Sequence, residues 1–529
     1  LARTTRQKAS QPQLFTTTQQ LGSLIKSARD IMRKDKGLNG DLDRLPMLTW
    51  IMFLKFLDDL EHLREDEAAL AGERYRPAIE SPYRWRDWAA IENGITGDEL
   101  IAFINNDEAM RPDGTRGQGL FAYLRSLQSE QPGDRRAVIA NVFHGVSNRM
   151  VSGYLLRDLL NKVNNIHFNA SGEMHTLGHL YESMLKEMRD AAGDSGEFYT
   201  PRAVVRFMVQ VTDPRLGETV LDPACGTGGF LVEAFNHLQQ QCETVEQRRI
   251  LQSRSLYGGE AKPLPYLLAQ MNLLLHGLEA PQIAYGNSLS VKVTEISDKD
   301  RVDVILTNPP FGGEEERGIL GNFPEDKQTS ETALLFLQLI MRKLRRVLPH
   351  SQGTQREGAG RAAVVVPNGV LFGDGIAARV KEELLTQFNL HTIVRLPNGV
   401  FAPYTSIPTN LLFFDRSCPT EAIWYYEQPL PEGRKNYTKT QPIQFEEFAD
   451  CLSWWPERVE NERAWKVPLG DVLKRDAQGG LVSVNLDVKN PNAKQDLQHL
   501  PPEQLVESIL QKEQQIAALM AEIKVAVRQ

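Results

Sequence analysis

Val220-Leu221-Asp222-Pro223-Ala224-Cys225-Gly226-Thr227-Gly228-Gly229-Phe230 reads as a strand ending at Asp222, a glycine-rich turn, and a helix beginning near Gly229. Glycines let a backbone come close to a bound molecule, and a helix N-terminus offers unpaired N–H groups. A dinucleotide site would need G-x-G-x-x-G, and a phosphate loop would close on Gly-Lys-Ser/Thr. Gly226-Thr227-Gly228-Gly229 does neither. Taken alone, the turn fits a ligand seat or a plain strand-to-helix connection. Around it, short β-rich runs alternate with helical patterns. Strands are expected over 219–222, 255–260, 283–287, 302–308, 362–367, 392–396 and 410–415, and helices over 230–240, 264–275 and 332–348. Such alternation predicts an α/β fold with a Rossmann-like doubly wound sheet, whose ligands sit at the carboxyl ends of the strands.

Two further strand ends carry chemistry. Tyr257-Gly258-Gly259-Glu260 puts an acid where it can accept both hydroxyls of a ribose, although capping a helix is the plainer use of such a residue. Asp303-Val304-Ile305-Leu306-Thr307 runs straight into Asn308-Pro309-Pro310-Phe311. Two prolines fix φ and remove two donors, leaving carbonyls as acceptors. An amide oxygen and a proline carbonyl side by side accept both hydrogens of one amino group, and the adjacent ring offers a stacking face. That set suits a planar heteroaromatic amine taken out of its surroundings. Accepting both N–H hydrogens draws the nitrogen toward tetrahedral geometry and frees its lone pair to attack a methyl group. Attack on cytosine C5 would instead need a nucleophilic cysteine, and Cys225 lies inside the glycine turn.

Asn308-Pro309-Pro310-Phe311 resembles motif IV of the amino-methyltransferases, and the stretch 222–230 resembles their S-adenosylmethionine-binding motif I. Gly196-Glu197-Phe198-Tyr199-Thr200-Pro201-Arg202 is similar to motif X, and Leu396-Pro397-Asn398-Gly399-Val400-Phe401 to motif VIII. The order X, I, IV is that of the γ class of N6-adenine DNA methyltransferases. Within it the chain resembles the modification subunit of type I restriction–modification systems over roughly 20–415, including Tyr83-Arg84-Trp85 and the run from Gly360 to Pro367. The resemblance implies that Glu197, Phe198, Tyr199, Thr200, Pro201 and Arg202 line the methionine side of S-adenosylmethionine. Asp222, Thr227, Gly228 and Gly229 would hold its backbone, Glu260 its ribose, and Asn287 would face its adenine. Asn308 and Pro309, followed by Pro310, would accept from the target amine. Phe311 would stack on the base and Phe401 would cover its other face. The Asn-Pro-Pro-Phe form accompanies adenine N6 chemistry. No metal is implied, and the ten histidines scatter too widely for a cluster.

The domain expectation is a loose Thr/Gln-rich arm over 1–20, a helical N-terminal domain over 21–170, the methyltransferase domain over 171–500, and a C-terminal docking helix over 501–529. Leu48-Thr49-Trp50-Ile51-Met52-Phe53-Leu54-Lys55-Phe56-Leu57-Asp58-Asp59-Leu60 is apolar on most faces and predicts a buried helix, with Pro46 in its first turn. Tyr83-Arg84-Trp85-Arg86-Asp87-Trp88 could stack on bases, but aromatics buried between helices are the commoner outcome. Residues 416–500 carry no assignable motif. After Pro502, Leu505, Ile509, Ile516, Leu519, Met520, Ile523 and Val527 form an apolar stripe with no core of its own. Gly312-Gly313-Glu314-Glu315-Glu316 fits poorly beside a DNA path, and is expected to swing clear or to touch protein instead.

The bulk properties bound the partners. The chain has 529 residues, 41% hydrophobic and 24% charged, with a formal charge of −8. A protein that grips DNA unaided usually shows a basic footprint. The expectation is therefore a subunit that acts on double-stranded DNA in a complex with a specificity subunit, a second copy of this chain and a restriction subunit. No apolar run is long enough to span a bilayer and no secretory signal is evident, so a cytoplasmic location without a membrane partner is expected. Four well-separated cysteines suggest neither zinc nor disulfides. Three other functions compete. A solitary adenine methyltransferase would need a base-reading module within 416–500. A protein or RNA methyltransferase can share Asn-Pro-Pro-aromatic, but typically in a shorter chain without the helical domain. A non-catalytic module of the complex would not need Glu260, Asn308 and Phe311 intact.

Overall fold

The computed structural model describes residues 18–127, 134–166, 200–346 and 358–492, except 403, 404, 406 and 439, together with 506, 510, 512–514, 516 and 520. The arm over 1–17, Glu197, Phe198 and Tyr199, and most of the C-terminal segment lie outside the described residues.

The N-terminal part is helical: α1 Thr18–Met32, α2 Asp41–Ala71, α3 Trp85–Trp88, α4 Gly97–Asn105, α5 Leu120–Ser126, α6 Arg135–His144 and α7 Gly153–Asn164, with one small hairpin between α4 and α5. Helix α2 is the run that is apolar on most faces. Its Trp50, Phe53 and Phe56 are fully buried, and Trp50 meets Phe121 edge to face at 5.1 Å. It starts a turn earlier than expected, because extended Gly40 opens it and Asp43 accepts from Asn39 N at 3.0 Å. Pro46 therefore lies inside the helix rather than in its first turn. The Tyr83–Trp88 cluster is core. Trp85 and Trp88 are buried, and Tyr83 stacks on Tyr123 with centroids 3.8 Å apart.

The second part is built on nine strands: β1 Val220–Asp222, β2 Leu256–Glu260, β3 Gln282–Tyr285, β4 Val304–Thr307, β5 Arg361–Pro367, β6 Asn389–Arg395, β7 Thr409–Asp415, β8 Ala422–Glu427 and β9 Ala464–Pro468. Their order across the sheet is 3-2-1-4-5-7-6-8-9. Strand β7 runs antiparallel between β5 and β6, β9 is antiparallel to β8, and the remaining pairs are parallel. Side chains of successive strand residues point to opposite faces. Accordingly Ala363, Val365, Leu411 and Phe413 fill one core, and Ala362, Val364, Val366, Leu412 and Phe414 fill the other. Helices α8 (Arg202–Thr212) and α9 (Gly229–Gln239) cover the first face, while α12 (Thr332–Lys343) and α13 (Ile376–Gln387) cover the second. The doubly wound expectation therefore holds.

Helix α12 is shorter than the expected 332–348, because Leu344 leaves it to bridge Val302 beside β4. Two more helices, α10 (Val245–Arg254) and α11 (Pro263–Leu275), flank β2. Helix α11 joins the two parts. Leu267, Leu268, Met271, Leu274 and Leu275 enter the core of the helical part, while Tyr266, Ala269 and Leu273 enter that of the sheet. Arg64 of α2 reaches Glu279 just beyond it at 3.2 Å.

The described part of 416–500, which carried no motif, extends the sheet by β8 and β9, adds side chains to both its faces and carries a separate ribbon of Leu473–Arg475 and Leu481–Val484. Phe448 stacks on Phe207 of α8 at 4.5 Å, and Trp455 meets Phe413 at 4.7 Å. Among the described residues no helix is long and apolar enough to cross a membrane.

Candidate active site

In an open α/β sheet the crevice lies where neighbouring strands send their connections to opposite faces. Here that point falls between β1 and β4, so the glycine turn after β1 and Asn308 after β4 stand side by side.

The turn is held by side chains from several elements. Asp222 is 1% exposed, and its Oδ1 accepts from the Thr307 hydroxyl at 2.7 Å and from Ala224 N at 3.1 Å. It therefore braces the turn from behind instead of presenting its carboxylate to the crevice. Burial, reinforced by the nearby Glu260 charge, pushes its pKa up to about 7. Glu260, at the end of β2, accepts from Gly226 N at 2.9 Å and from Lys262 N at 2.8 Å. Burial raises its pKa, and those two N–H groups oppose the rise. Ser288 donates to Pro223 O at 2.6 Å across Gly259, where a Cβ would lie 2.4 Å from the serine oxygen. Gly228 opens α9 at φ 80°, a left-handed conformation that favours glycine. Arg202 donates to Gly229 O at 2.9 Å.

Asn308 Nδ2 donates to Thr200 Oγ1 at 3.0 Å, which ties the end of β4 to the segment leading into α8. Its Oδ1 is buried and has no hydrogen-bond partner. Pro309 is buried and Pro310 half-buried behind it. Phe311 and Phe401 meet edge to face, centroids 5.6 Å apart and planes at 74°. The rings thus touch and leave no base-wide slot between them, so stacking a base on Phe311 requires that ring to leave Phe401. Asn287 accepts from Leu289 N at 2.9 Å and donates to Glu315 at 3.1 Å, which leaves one amide hydrogen for any ligand. The same bond explains the acidic loop. Glu315 is tied to Asn287, and its backbone N–H donates to Ser330 O at 3.2 Å, so the loop touches protein.

The structure thus brings together Thr200, Pro201, Arg202, the turn 222–229, Glu260, and Asn308 through Phe311. It keeps Asn287 at the rim and Phe401 behind Phe311. The sequence reading missed Asn272 of α11, whose Nδ2 donates to Thr227 O at 2.9 Å, along with Ser288 and Thr307. The signal for Asn272 was a lone polar residue within Met271-Asn272-Leu273-Leu274-Leu275.

The site also fits the S-adenosylmethionine that the sequence implied. Gly228 and Gly229 give the turn no side chains of its own there, and the Arg202 guanidinium lies 2.9 Å from where a Cβ on Gly229 would stand. The Glu260 carboxylate, fixed by backbone N–H groups, is an acceptor for ribose hydroxyls beside the turn, and the orphaned Asn308 Oδ1 lies at the neighbouring strand end. This strand order, with a glycine turn after β1 and Asn-Pro-Pro-Phe after β4, defines a methyltransferase of the kind that acts on amino groups.

The comparisons agree. A family model described as N-6 DNA Methylase matches residues 172–496, and one described as HsdM N-terminal domain matches 21–163. The type I restriction enzyme EcoEI methylase subunit of Escherichia coli is 46% identical, over 92% of this chain and 94% of its own length. A crystal structure of a modification subunit assigned to a type I restriction enzyme of Vibrio vulnificus YJ016 is 71% identical and covers 93% of this chain and all of its own, at a TM-score of 0.87. A structure from work on assembly and conformational transition of the type I system is 40% identical over 96% of this chain and 98% of its own, at a TM-score of 0.71. The chain belongs to the N6-adenine DNA methyltransferases, and within them to the methylase subunits of type I restriction–modification systems.

Proposed function

We propose that Asn308 and Pro309 carry the family's adenine N6 methylation in this chain, on S-adenosylmethionine held by the glycine turn and Glu260. The observation that carries this reading is the Asn308 Oδ1: a buried amide oxygen without a partner, at the strand end beside the glycine turn. Leaving such an acceptor unmatched is costly unless a ligand group completes it. An adenine amino group completes it by donating one hydrogen to Oδ1 and the other to the Pro309 carbonyl. Thr200 fixes the amide so that oxygen, not nitrogen, faces the target. When bound, S-adenosylmethionine supplies an electrophilic methyl group. Glu260 orients it through the ribose, and Arg202 keeps the first turn of α9 in place.

Type I systems assemble modification, specificity and restriction subunits and act on double-stranded DNA. We infer that this chain joins a specificity subunit through its C-terminal segment, alongside a second copy of itself, in the cytoplasm. Val506, Leu510, Ile516 and Met520 are helical, and each of these apolar residues is more than half exposed. Most of the described part of 416–500 is built into the sheet and its covering, and the short antiparallel ribbon of Leu473–Arg475 and Leu481–Val484 stands outside that sheet.

The test is Asn308→Ala in the assembled complex. Methyl transfer should be abolished while S-adenosylmethionine binding by titration stays within about threefold, since the amide acts on the target and not on the donor. Retention of most of the turnover would overturn the acceptor-pair mechanism.

A further inference from the structure

Asn272 is a side chain that packing alone does not explain. It lies in α11 amid leucines, is fully buried, and leaves its Oδ1 without a partner, which is a cost to the fold. Its one contact at the crevice is the Nδ2 bond to the carbonyl of Thr227, at the middle of the glycine turn. One turn earlier in the helix, Ala269 lies directly under Gly228; a Cβ on that glycine would be 3.4 Å from its Cα and Cβ. The turn therefore rests on α11 at two consecutive residues. The other side of α11, with Leu267, Met271 and Leu274, is packed in the core of the helical domain.

We propose that Asn272 is a positioning residue: it seats the cofactor turn on α11, so that the packing of the helical domain against the far side of that helix sets the affinity for S-adenosylmethionine. The inference rests on the reading of the turn as the seat of that ligand. A helix gripped by two cores moves as a rigid body, and the hydrogen bond at Thr227 is the point where its position reaches the turn. Neither the identity of Thr227 nor the spacing of glycines encodes that link, because the donor lies 45 residues further along the chain.

The experiment titrates the full chain with S-adenosylmethionine and follows thermal unfolding, for the native sequence, Asn272→Leu, Leu274→Ala and the double variant. Leucine has the branching of asparagine, and removes both the donor and the orphaned acceptor. Asn272→Leu should unfold at the same or a higher temperature yet bind about tenfold more weakly, the size of one lost hydrogen bond. In the complex its KM for S-adenosylmethionine should rise by a similar factor, with kcat at saturation changed by less than about threefold. Leu274→Ala should weaken binding in the native background and much less in the Asn272→Leu background, the non-additivity of two sites acting through one element.

A native chain that does not bind S-adenosylmethionine would overturn the reading of the turn itself. A native chain that binds, with Asn272→Leu equal to it, overturns only the role of Asn272. Additive effects overturn the link to the helical domain. A joint fall of unfolding temperature and kcat makes Asn272 a packing residue and also overturns the proposal. If the leucine variant does not fold, Asn272→Ala gives the same split between KM and kcat.

Discussion

A carboxyl group that is 1% exposed, beside a second carboxylate, holds its proton more tightly than one in water. In the folded chain Asp222 titrates at about 7, against 3.8 for the ordinary residue. Between those values the folded state binds more protons than the unfolded state, so stability must fall as pH rises through that window. The contribution is fully present below about pH 4 and is lost above about pH 7. Asp222→Asn keeps an acceptor for Thr307 and Ala224 but cannot ionise. Urea unfolding of the two proteins across pH 4–7 should show a steeper decline in the native chain, by at most about 1.4 kcal/mol per pH unit. Parallel curves would mean that Asp222 stays charged in its turn. At this same scale the sequence was readable where chemistry is local. Asn308-Pro309-Pro310-Phe311 and Glu260 identify themselves by residue type at a strand end. The inward turn of Asp222, the contact of Phe311 with Phe401 and the grip of Asn272 were not readable, because each depends on a partner at least 45 residues away.

Elements were legible in proportion to how much of their pattern is their own. Strands β5 and β7 are continuous apolar runs buried on both faces, as central strands require, and both were expected from their sequence. Helix α8 was not, since Val204, Val205, Val209 and Val211 are β-branched and read equally well as strand. Strands β8 and β9 escaped because they close the far end of the sheet, where β8 takes its register from β6 and β9 takes its own from β8 across nearly forty residues. Their presence decides what 416–500 does, and Phe448 tests it. It is fully buried and stacked on Phe207, so Phe448→Ala should cost about 3–5 kcal/mol of stability. The methylated DNA site, read from the assembled complex, should not change. A changed site with undiminished stability would instead make this segment the reader of bases.

For the whole molecule, the question is what a DNA-modifying chain with a formal charge of −8 does when alone. Non-specific affinity for DNA comes from cations that neutralise phosphates, and a net negative chain offers no global attraction of that kind. Sequence reading needs a helix, ribbon or loop lodged in a groove, and most of the described residues in 416–492 are spent on the sheet and its cover, apart from one short ribbon of Leu473–Arg475 and Leu481–Val484. The C-terminal helical positions point the other way. Val506, Leu510, Ile516 and Met520 are helical positions, each more than half exposed, as in a segment that joins a partner's helices. The isolated chain should therefore bind S-adenosylmethionine but show little site-specific affinity for DNA. Deleting residues 503–529 should leave that binding and the thermal unfolding of the rest intact, while assembly with the specificity subunit, and DNA methylation with it, are lost. Size-exclusion chromatography of the truncated chain mixed with its partner reads the first effect, and methyl incorporation into DNA reads the second. Full-strength assembly without the tail would remove the docking role from this helix. Site-specific methylation by the isolated full-length chain would show that the protein reads DNA by itself, through a surface its charge does not advertise.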